Sequence, residues 1–157
     1  MKSFQLEIIT PEHTVFSGPV TSIVVPATAG RMGVLANHAA MVASLEPGSM
    51  KVVLADGSVH VYALGGGFLE VAQNEARVVA DVGERADEID EQRAVRAEER
   101  ARQRLRERAA DIDLARAEAA LARAVARVRA SRDARTYSMG GARERQHAPP
   151  NRATPQI

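Results

Sequence analysis

Length, composition and charge exclude several classes of protein at the outset. The chain has 157 residues, of which 45% are hydrophobic and 3% aromatic, and it contains no cysteine and no tryptophan. Without thiols it can form no disulfide, thiolate metal site or cysteine nucleophile. Its apolar fraction is too high for a wholly disordered chain. The N-terminal residues lack the apolar run of a secretory signal, and no segment offers the roughly 18 apolar residues of a membrane span, so we expect a soluble cytoplasmic protein.

The charge is distributed unevenly along the chain. Residues 1–84 hold four basic side chains against eight acidic ones, a net charge of −4. Residues 85–157 hold seventeen arginines against twelve acidic residues, a net charge of +5. Glycine and β-branched residues are frequent in the first part, and alanine and arginine in the second. Such a break in composition predicts a domain boundary near Glu84.

Residues 1–84 have a hydrophobic period of two, which is typical of strands with one buried face. Phe4, Leu6 and Ile8 alternate with polar residues, and turn signals follow one another at intervals of roughly 8 to 12 residues. Asp56-Gly57 separates two alternating runs and predicts a hairpin, because glycine accepts the positive φ of such turns. The pattern predicts eight or more short strands in an antiparallel β-sandwich or flattened barrel.

Three consecutive glycines, Gly65-Gly66-Gly67, invite comparison with a phosphate-binding loop. No Gly-Lys-Ser/Thr sequence follows them, and the next segment has the pattern of a strand where a phosphate loop would be followed by a helix. We therefore interpret them as a β-bulge or as a place where another backbone approaches closely.

Residues 85–134 have the period of a helix. Asp87 is a plausible N-cap, with Asp90 three residues later as its capping-box partner. Two narrow apolar seams follow, one of Ala94, Ala97, Ala101 and Leu105 and one of Leu114, Ala117, Leu121, Ala124 and Val128. The pattern alone fits one long helix or a hairpin, although Asp111 and Asp113 would be suitable caps for a second helix. The sequence loses all periodicity beyond Tyr137, and residues 135–157 are predicted to form a disordered tail.

A scan for catalytic chemistry finds little. The four histidines have no recognised metal-ligand spacing, and no serine lies in a nucleophile-elbow pattern, so an independent active site is not expected. The arginines are more informative, because Arg93 and Arg100 share one helix face, as do Arg123 and Arg127. If the helices fold back on each other, the two pairs could converge on a polyanion. On spacing alone, a solvated arginine-rich surface is the favoured alternative.

Taken together, these segments resemble the epsilon subunit of bacterial F-type ATP synthase over about residues 3–132. The similarity lies in LEIITPEHTVFSG near the N-terminus, in the loop GRMGVLANHAAMV and in the glycine-rich strand LGGGFLEV. It implies an α+β fold, in which an N-terminal antiparallel β-sandwich (1–84) precedes an antiparallel two-helix hairpin (85–134) and the tail (135–157). It also implies that Arg31, Met32 and His38 lie at the rotor interface.

The resemblance implies a non-catalytic part of the rotor. Its sandwich would bind the gamma subunit and the c-ring, and it would couple proton flow to ATP synthesis at catalytic sites elsewhere in the complex. Its hairpin would restrain ATP hydrolysis by reaching the beta subunits when extended. The protein would lie on the cytoplasmic face of the bacterial plasma membrane, in contact with the membrane only through the complex, and would need no catalytic cofactor.

Members of this family that bind ATP on the hairpin carry the motif Ile/Leu-Asp-x-x-Arg-Ala, and residues 89–94 match it in full. The resemblance therefore assigns ATP as a possible regulatory ligand and implies eight nucleotide-binding residues: Glu84, Ile89, Asp90, Arg93, Ala94, Arg100, Arg123 and Arg127. Guanidinium groups can bind phosphate oxygens as a fork, and Asp90 can accept hydrogen bonds from the adenine amino group.

Two other classes of function are compatible with parts of the sequence. An arginine-rich helical region with a basic tail could bind nucleic acid, but acidic residues alternate with the arginines and no aromatic residues lie near them for base stacking. A stand-alone sandwich enzyme or sugar-binding module would call for clustered aromatic residues or paired carboxylates in the strand half. We therefore expect no nucleic-acid partner.

Overall fold

The computed structural model describes residues 1–107 and 113–146, which form seven β-strands followed by two long helices. The strands are β1 (Phe4–Ile9), β2 (Thr14–Ala27), β3 (Gly30–Leu35), β4 (Met41–Leu54), β5 (Val59–Ala72), β6 (Glu75–Ala80) and β7 (Gly83–Arg85). A 3-10 turn at Ala86–Glu88 leads to α1 (Glu91–Glu107) and then to α2 (Leu114–Gln146). The strands are fewer and longer than the sequence predicts, since β2, β4 and β5 each have 14 residues.

The strands form a flattened barrel. Their order is β1-β6-β5-β4-β2-β3, and β1 also pairs with β2, so the sheet closes on itself. All pairings are antiparallel except that of β1 with β6, which is parallel. The alternating apolar residues fill the interior: Leu6, Ile8, Ile23, Val25 and Val52 are almost completely buried. The predicted β-sandwich is therefore confirmed, with one parallel pair added.

The predicted hairpin at Asp56-Gly57 connects β4 to β5. Gly57 has a φ of +83°, and the pairing of Val53 with Val59 fixes the register on either side of the turn. One carboxylate oxygen of Asp56 accepts hydrogen bonds from both the backbone N–H and the hydroxyl of Ser58, at 2.8 Å and 2.6 Å. These bonds stabilise the charged carboxylate and lower the pKa of Asp56.

The three glycines produce a bend at which β5 changes the face that it buries. Gly66 and Gly67 have φ values of +97° and +139°, which side chains other than glycine rarely tolerate. Leu64 and Leu69 both face the core although they are an odd number of residues apart. A regular strand would put them on opposite faces, so the backbone must turn over between them. The pairing of β5 with β4 keeps one register through the bend, so no bulge forms. The other interpretation, a close approach of a second backbone, is confirmed, because a Cβ atom at Gly67 would lie 2.0 Å from the carbonyl oxygen of Val79.

The two helices begin at aspartate caps. The Asp90 Oδ1 accepts the backbone N–H of Arg93 at 3.0 Å, and the Asp113 Oδ1 accepts that of Arg116 at 3.1 Å. The predicted cap at Asp87 is wrong, because that residue lies in the 3-10 turn and pairs with Arg85 at 2.8 Å. Asp90 is the N-cap of α1, because the helix begins at the next residue, Glu91. The suggestion of a second cap near residue 113 is confirmed.

Contacts at both ends show that α1 and α2 run antiparallel. Glu91, at the start of α1, forms ion pairs with Arg132 and Arg135 in the second half of α2. Arg104, near the end of α1, lines the same groove as Arg116 at the start of α2. The hairpin alternative is therefore the correct one. Neither helix is long and apolar enough, over its described residues, to cross a membrane.

The second half of α2 docks the hairpin on the sandwich. Ala130 is completely buried, in a small cluster with Val61, Ala63 and Ala86, and the ring of Tyr137 packs at its edge. The Lys51 ammonium lies 4.3 Å from the centroid of that ring, a distance typical of a cation–π contact.

The helix does not end where the sequence analysis ends the hairpin. It continues past residue 134 to Gln146, so the first twelve residues assigned to the tail are helical. The contacts of Arg135 and Tyr137 anchor this extension, which periodicity alone did not indicate. Residues 147–157, the rest of the predicted tail, lie outside the described residues.

Candidate functional site

A cavity of about 490 Å³ lies where β7, the 3-10 turn and the two helices meet. Of the eight residues that the sequence assigned to nucleotide binding, the structure brings seven together around this cavity, and these are Glu84, Ile89, Asp90, Arg93, Ala94, Arg100 and Arg127. They come from β7, from residues 89–90 before α1, from α1 itself and from α2, so the cavity exists only while the hairpin is folded against the sandwich.

The strongest contact in the cavity joins Glu84 on β7 to Arg127 on α2. The Arg127 Nε and Nη2 atoms donate to the two oxygens of Glu84 at 2.8 Å and 2.6 Å, which is a bidentate fork. The hydrogen bonds from Arg127 lower the pKa of the Glu84 carboxyl, and the same bonds raise the pKa of the Arg127 guanidinium. Because Glu84 pairs through its backbone with Ala63, the fork ties the hairpin to the sheet.

The first turn of α1 supplies the other end of the cavity. Asp90 uses one carboxylate oxygen to cap the helix, which fixes the direction of the chain as it leaves the 3-10 turn. Arg93 and Arg100 are exposed, and no carboxylate in the described residues lies within ion-pair distance of either. Their guanidinium groups thus give the cavity a positive wall that can accept an anion.

Arg123 is the one predicted nucleotide-binding residue that does not line this cavity. It lies one helical turn before Arg127, in the adjoining groove between the helices. Two further residues line the cavity that the sequence analysis did not assign to nucleotide binding, Glu88 and Ala97. Glu88 directly precedes the matched motif, and Ala97 follows Arg93 by one helical turn, so this spacing could have identified both as lining residues.

Within the described residues no group of three His, Asp or Glu side chains could hold a metal ion.

The predicted rotor residues lie on or beside β3 and do not form a single cluster. Arg31 is exposed near the start of the strand, whereas His38 follows its end. Met32 is half-buried and packs against the core of the sandwich. The outward face of β3 carries Leu35 instead, which is 64% exposed. Strand alternation explains the difference, since Arg31 and Leu35 share the face opposite to Met32.

The loop that carries His38 is held by an asparagine far away in the sequence. Asn37 has a φ of +62°, and its backbone N–H donates to the Asn74 Oδ1 at 2.8 Å. The Asn74 Nδ2 in turn donates to the carbonyl of Ser3 at 3.0 Å. Asn74 therefore fixes the loop against the β5–β6 turn and the N-terminus. Only the tertiary structure reveals this role, because Asn74 reads in the sequence as an ordinary turn residue.

The outer face of the sandwich carries an apolar patch beyond the glycine bend. Val42, Phe68 and Val79 are 71%, 58% and 49% exposed. Phe68 is the direct cross-strand partner of Val79, and Val42 lies on the next strand, diagonal to Phe68. We call these three residues the outer apolar patch. Large apolar side chains that are contiguous and exposed indicate a surface that another protein covers.

Comparisons with known proteins agree on one family. The family model for the β-sandwich domain of the ATP synthase delta/epsilon chain matches residues 3–86, and the model for its long α-helix domain matches residues 87–132. The ATP synthase epsilon chain of Symbiobacterium thermophilum is 48% identical over 132 residues, which cover 83% of this chain and 94% of that protein. The epsilon chain of Moorella thermoacetica is 44% identical over 131 residues, which cover 83% and 98% of the two chains.

Solved structures give the same result. A chain of the Euglena gracilis mitochondrial ATP synthase, in a structure of OSCP, F1 and the c-ring, matches with a TM-score of 0.69 and 26% identity over 76% of each chain. A chain from the central stalk and c-ring of the Tetrahymena thermophila enzyme, at 16% identity and a TM-score of 0.51, shares the fold. The chain therefore belongs to the family of ATP synthase epsilon chains.

Proposed function

We propose that this chain is a non-catalytic subunit of the rotor of a proton-translocating F-type ATP synthase, bound through its sandwich to the gamma subunit and to the c-ring. It would transmit the rotation of the c-ring and thereby couple proton flow to ATP synthesis at catalytic sites elsewhere. It would reach the membrane only through the complex, on the cytoplasmic face of the bacterial plasma membrane. The outer apolar patch is the observation that carries this proposal.

The patch is suited to a permanent partner for three reasons. It lies beyond the glycine bend, on the part of β5 that follows the segment covered by α2, so the folded hairpin leaves it accessible. Glu70 and Arg77 lie opposite each other in the β5–β6 register beside it, and Arg77 is paired with Glu7 at 3.1 Å. These charged side chains would give the rim of an interface its polar contacts. Phe68, at the centre, is the aromatic anchor that such interfaces commonly use.

We expect Phe68→Glu to weaken binding of the full chain to purified gamma subunit by about tenfold or more, because a carboxylate would have to be buried at the centre of the contact. Leu114→Glu is the matched control, since Leu114 is 56% exposed on α2, away from the patch. Affinity is measured by titration calorimetry or by co-purification, with circular dichroism to verify folding. Equal binding by Phe68→Glu and the control would contradict the proposal for this surface.

We further propose that the cavity between β7 and the hairpin binds ATP as a regulatory ligand without hydrolysing it. Seven of the eight predicted residues line one cavity, and this convergence supports the proposal. Among the described residues, its Arg93 and Arg100 have no carboxylate within ion-pair distance. Arg93 and Arg100 would bind phosphate oxygens, and the second oxygen of Asp90 would be available to the adenine amino group. Arg127 would be shared between Glu84 and the ligand.

The carboxylates of the cavity favour binding over catalysis. Glu84 is held by Arg127, which lowers its pKa and makes it a weak base. Asp90 is occupied in part by the helix cap. Neither is suited to activating a water molecule for attack on a phosphate. Bound ATP would instead stabilise the folded hairpin by RT ln(1 + [L]/Kd), about 2.7 kcal/mol at a hundredfold excess over Kd.

The same arginines explain how ATP could control hydrolysis by the complex. When ATP falls, the hairpin would separate from the sandwich and extend toward the beta subunits. The arginines of α2, which are Arg116, Arg123, Arg127 and Arg129, could then pair with acidic surface on those subunits. Arg127 cannot pair with Glu84 and with a beta subunit at once, so the folded and extended states of the hairpin exclude each other.

Arg93→Ala is expected to weaken ATP binding by the isolated chain by about tenfold or more, because it removes a charge-assisted phosphate contact. Arg96→Ala is the control, since Arg96 is an exposed arginine on the same helix that does not line the cavity. Calorimetry and the melting temperature with and without millimolar ATP provide the measurement. A wild-type chain that shows neither heat nor a change in melting temperature would exclude the sensor role and leave the rotor role intact.

A further inference from the structure

A second and larger cavity, of about 650 Å³, lies between the ends of α1 and α2 that point away from the sandwich. We call it the outer groove. Small side chains such as Ala101 and Ala124 form its floor. Because they are small, they leave room for a ligand between the helices. Its walls carry five arginines, Arg100, Arg104, Arg116, Arg123 and Arg127. Both helices contribute, so arginines from α1 and α2 line one groove.

The acidic residues of the described chain leave these arginines largely uncompensated. The only acidic residue that lines the groove in the described part of the chain is Asp113, and its Oδ1 accepts the backbone N–H of Arg116 to cap α2. Of the five arginines, Arg127 alone has a carboxylate within ion-pair distance among the side chains of residues 1–107 and 113–138. Some arginines elsewhere on the hairpin do have a carboxylate partner, as Arg102 has Glu98.

Such a concentration of like charges favours an anionic ligand. Guanidinium groups that converge on a groove repel one another, and a multiply charged anion relieves that repulsion while accepting their paired N–H donors. Phosphate oxygens match the arginine fork in geometry and in charge. An anion with several phosphates in a row could contact arginines on both helices at the same time.

The outer groove also continues into the proposed nucleotide cavity. Ala97, Arg100 and Arg127 line both, so a phosphate chain entering from the nucleotide cavity would pass these residues and meet Arg104 and Arg116 beyond them. We propose that the outer groove is a binding site for linear condensed phosphate, with Arg104 and Arg116 as its distinctive residues. Binding of the phosphate chain of a nucleotide in the outer groove rests on the proposed ATP site. Binding of inorganic phosphate chains does not.

Two sources could supply this chemistry, inorganic polyphosphate and a nucleotide with more than three phosphates. Calorimetry on the full chain with inorganic tripolyphosphate, ATP and adenosine 5′-tetraphosphate separates them. The test variant combines Arg104→Gln with Arg116→Gln. The control combines Arg96→Gln with Arg129→Gln, which removes the same charge from exposed positions on the same helices outside both cavities.

We expect tripolyphosphate to bind the wild type and to bind the test variant about tenfold or more weakly, while the control stays within about twofold of the wild type. Adenosine 5′-tetraphosphate should bind more tightly than ATP, and the test variant should remove that advantage without weakening ATP itself. Binding of tripolyphosphate without ATP would support the groove and refute the nucleotide site. Equal losses in both double variants, or ATP binding without any response to the longer chains, would overturn the groove.

Discussion

Gly67→Ala is expected to be the most damaging single substitution in the sandwich. A Cβ atom at residue 67 would lie 2.0 Å from the carbonyl oxygen of Val79 and 2.8 Å from the Cα of Ala80, so the β6 backbone would have to move. The φ of +139° is also one that alanine rarely adopts. Strain and overpacking together should destabilise the fold by at least about 4 kcal/mol. For a domain of this size, that corresponds to a fall in melting temperature of roughly 20 °C or more.

Gly57→Ala separates the two causes. Gly57 also has a positive φ, of +83°, but nothing lies within 4 Å of the Cβ that alanine would add. Gly57→Ala should therefore lose only the stability due to backbone conformation, about 1 kcal/mol, and its melting temperature should fall by about 5 °C. Thermal unfolding followed by circular dichroism compares the two variants directly. If Gly67→Ala were no less stable than Gly57→Ala, the close approach of β6 would not be a constraint on the fold.

The fold could be predicted from the sequence where one local signal decided the structure. The period of two in residues 1–84 and the Asp56-Gly57 turn predicted the strands, and the change to a helical period predicted helical structure after residue 84. The choice of a hairpin over one long helix came from the family resemblance. The helix start was less certain because Asp87 and Asp90 both satisfy the requirements of a cap. The choice depends on the 3-10 turn at Ala86–Glu88, where Asp87 pairs with Arg85 instead.

The end of α2 escaped prediction because tertiary contacts outweigh local preference there. Glycine inside a helix costs about 1 kcal/mol relative to alanine, so the residues after 134 read as a tail. Tyr137 packs near Val61 and beneath Lys51, and Arg135 binds Glu91 across the hairpin. None of these pairs is adjacent in sequence, and no periodicity connects them. Packing against the sandwich therefore carries the helix beyond its predicted end.

The candidate site shows the same division between local and tertiary information. The resemblance to the family identified seven residues that do line one cavity, but it gave no account of how they are arranged. The fork between Glu84 and Arg127 joins residues 43 positions apart, and only the docked hairpin brings them together. The outer apolar patch was missed because the glycine bend changes which face of β5 is exposed. A strand pattern read in isolation cannot reveal that change.

Ala130→Glu is expected to detach the hairpin from the sandwich while both remain folded. Ala130 is completely buried against Val61, Ala63 and Ala86, and a glutamate there would bury a carboxylate without a partner. The penalty is several kcal/mol, which exceeds the roughly 2.7 kcal/mol that ATP supplies at a hundredfold excess over Kd. Glutamate is a good helix former, and the sandwich has its own core, so neither unit should unfold.

Two measurements on the isolated chain would detect detachment of the hairpin from the sandwich. Because the chain has no cysteine, fluorophores can be attached specifically through Ser58→Cys and Ser138→Cys, two exposed positions on the β4–β5 turn and on α2. Energy transfer between them should fall in Ala130→Glu, and trypsin should cleave the arginine-rich helices faster. Ala119→Glu is the matched control, because it places the same charge on an exposed position of the same helix.

The consequence for the assembled enzyme follows from the exclusion between the folded and extended hairpin. A hairpin that cannot dock is free to extend at every ATP concentration, so the complex with Ala130→Glu should hydrolyse ATP more slowly than wild type even at millimolar ATP. Ala119→Glu should retain the ATP dependence of the wild type, because it leaves the docked surface unchanged. Hydrolysis at the wild-type rate in the Ala130→Glu complex, with energy transfer already lost in the isolated chain, would show that undocking of the hairpin does not restrain the catalytic sites.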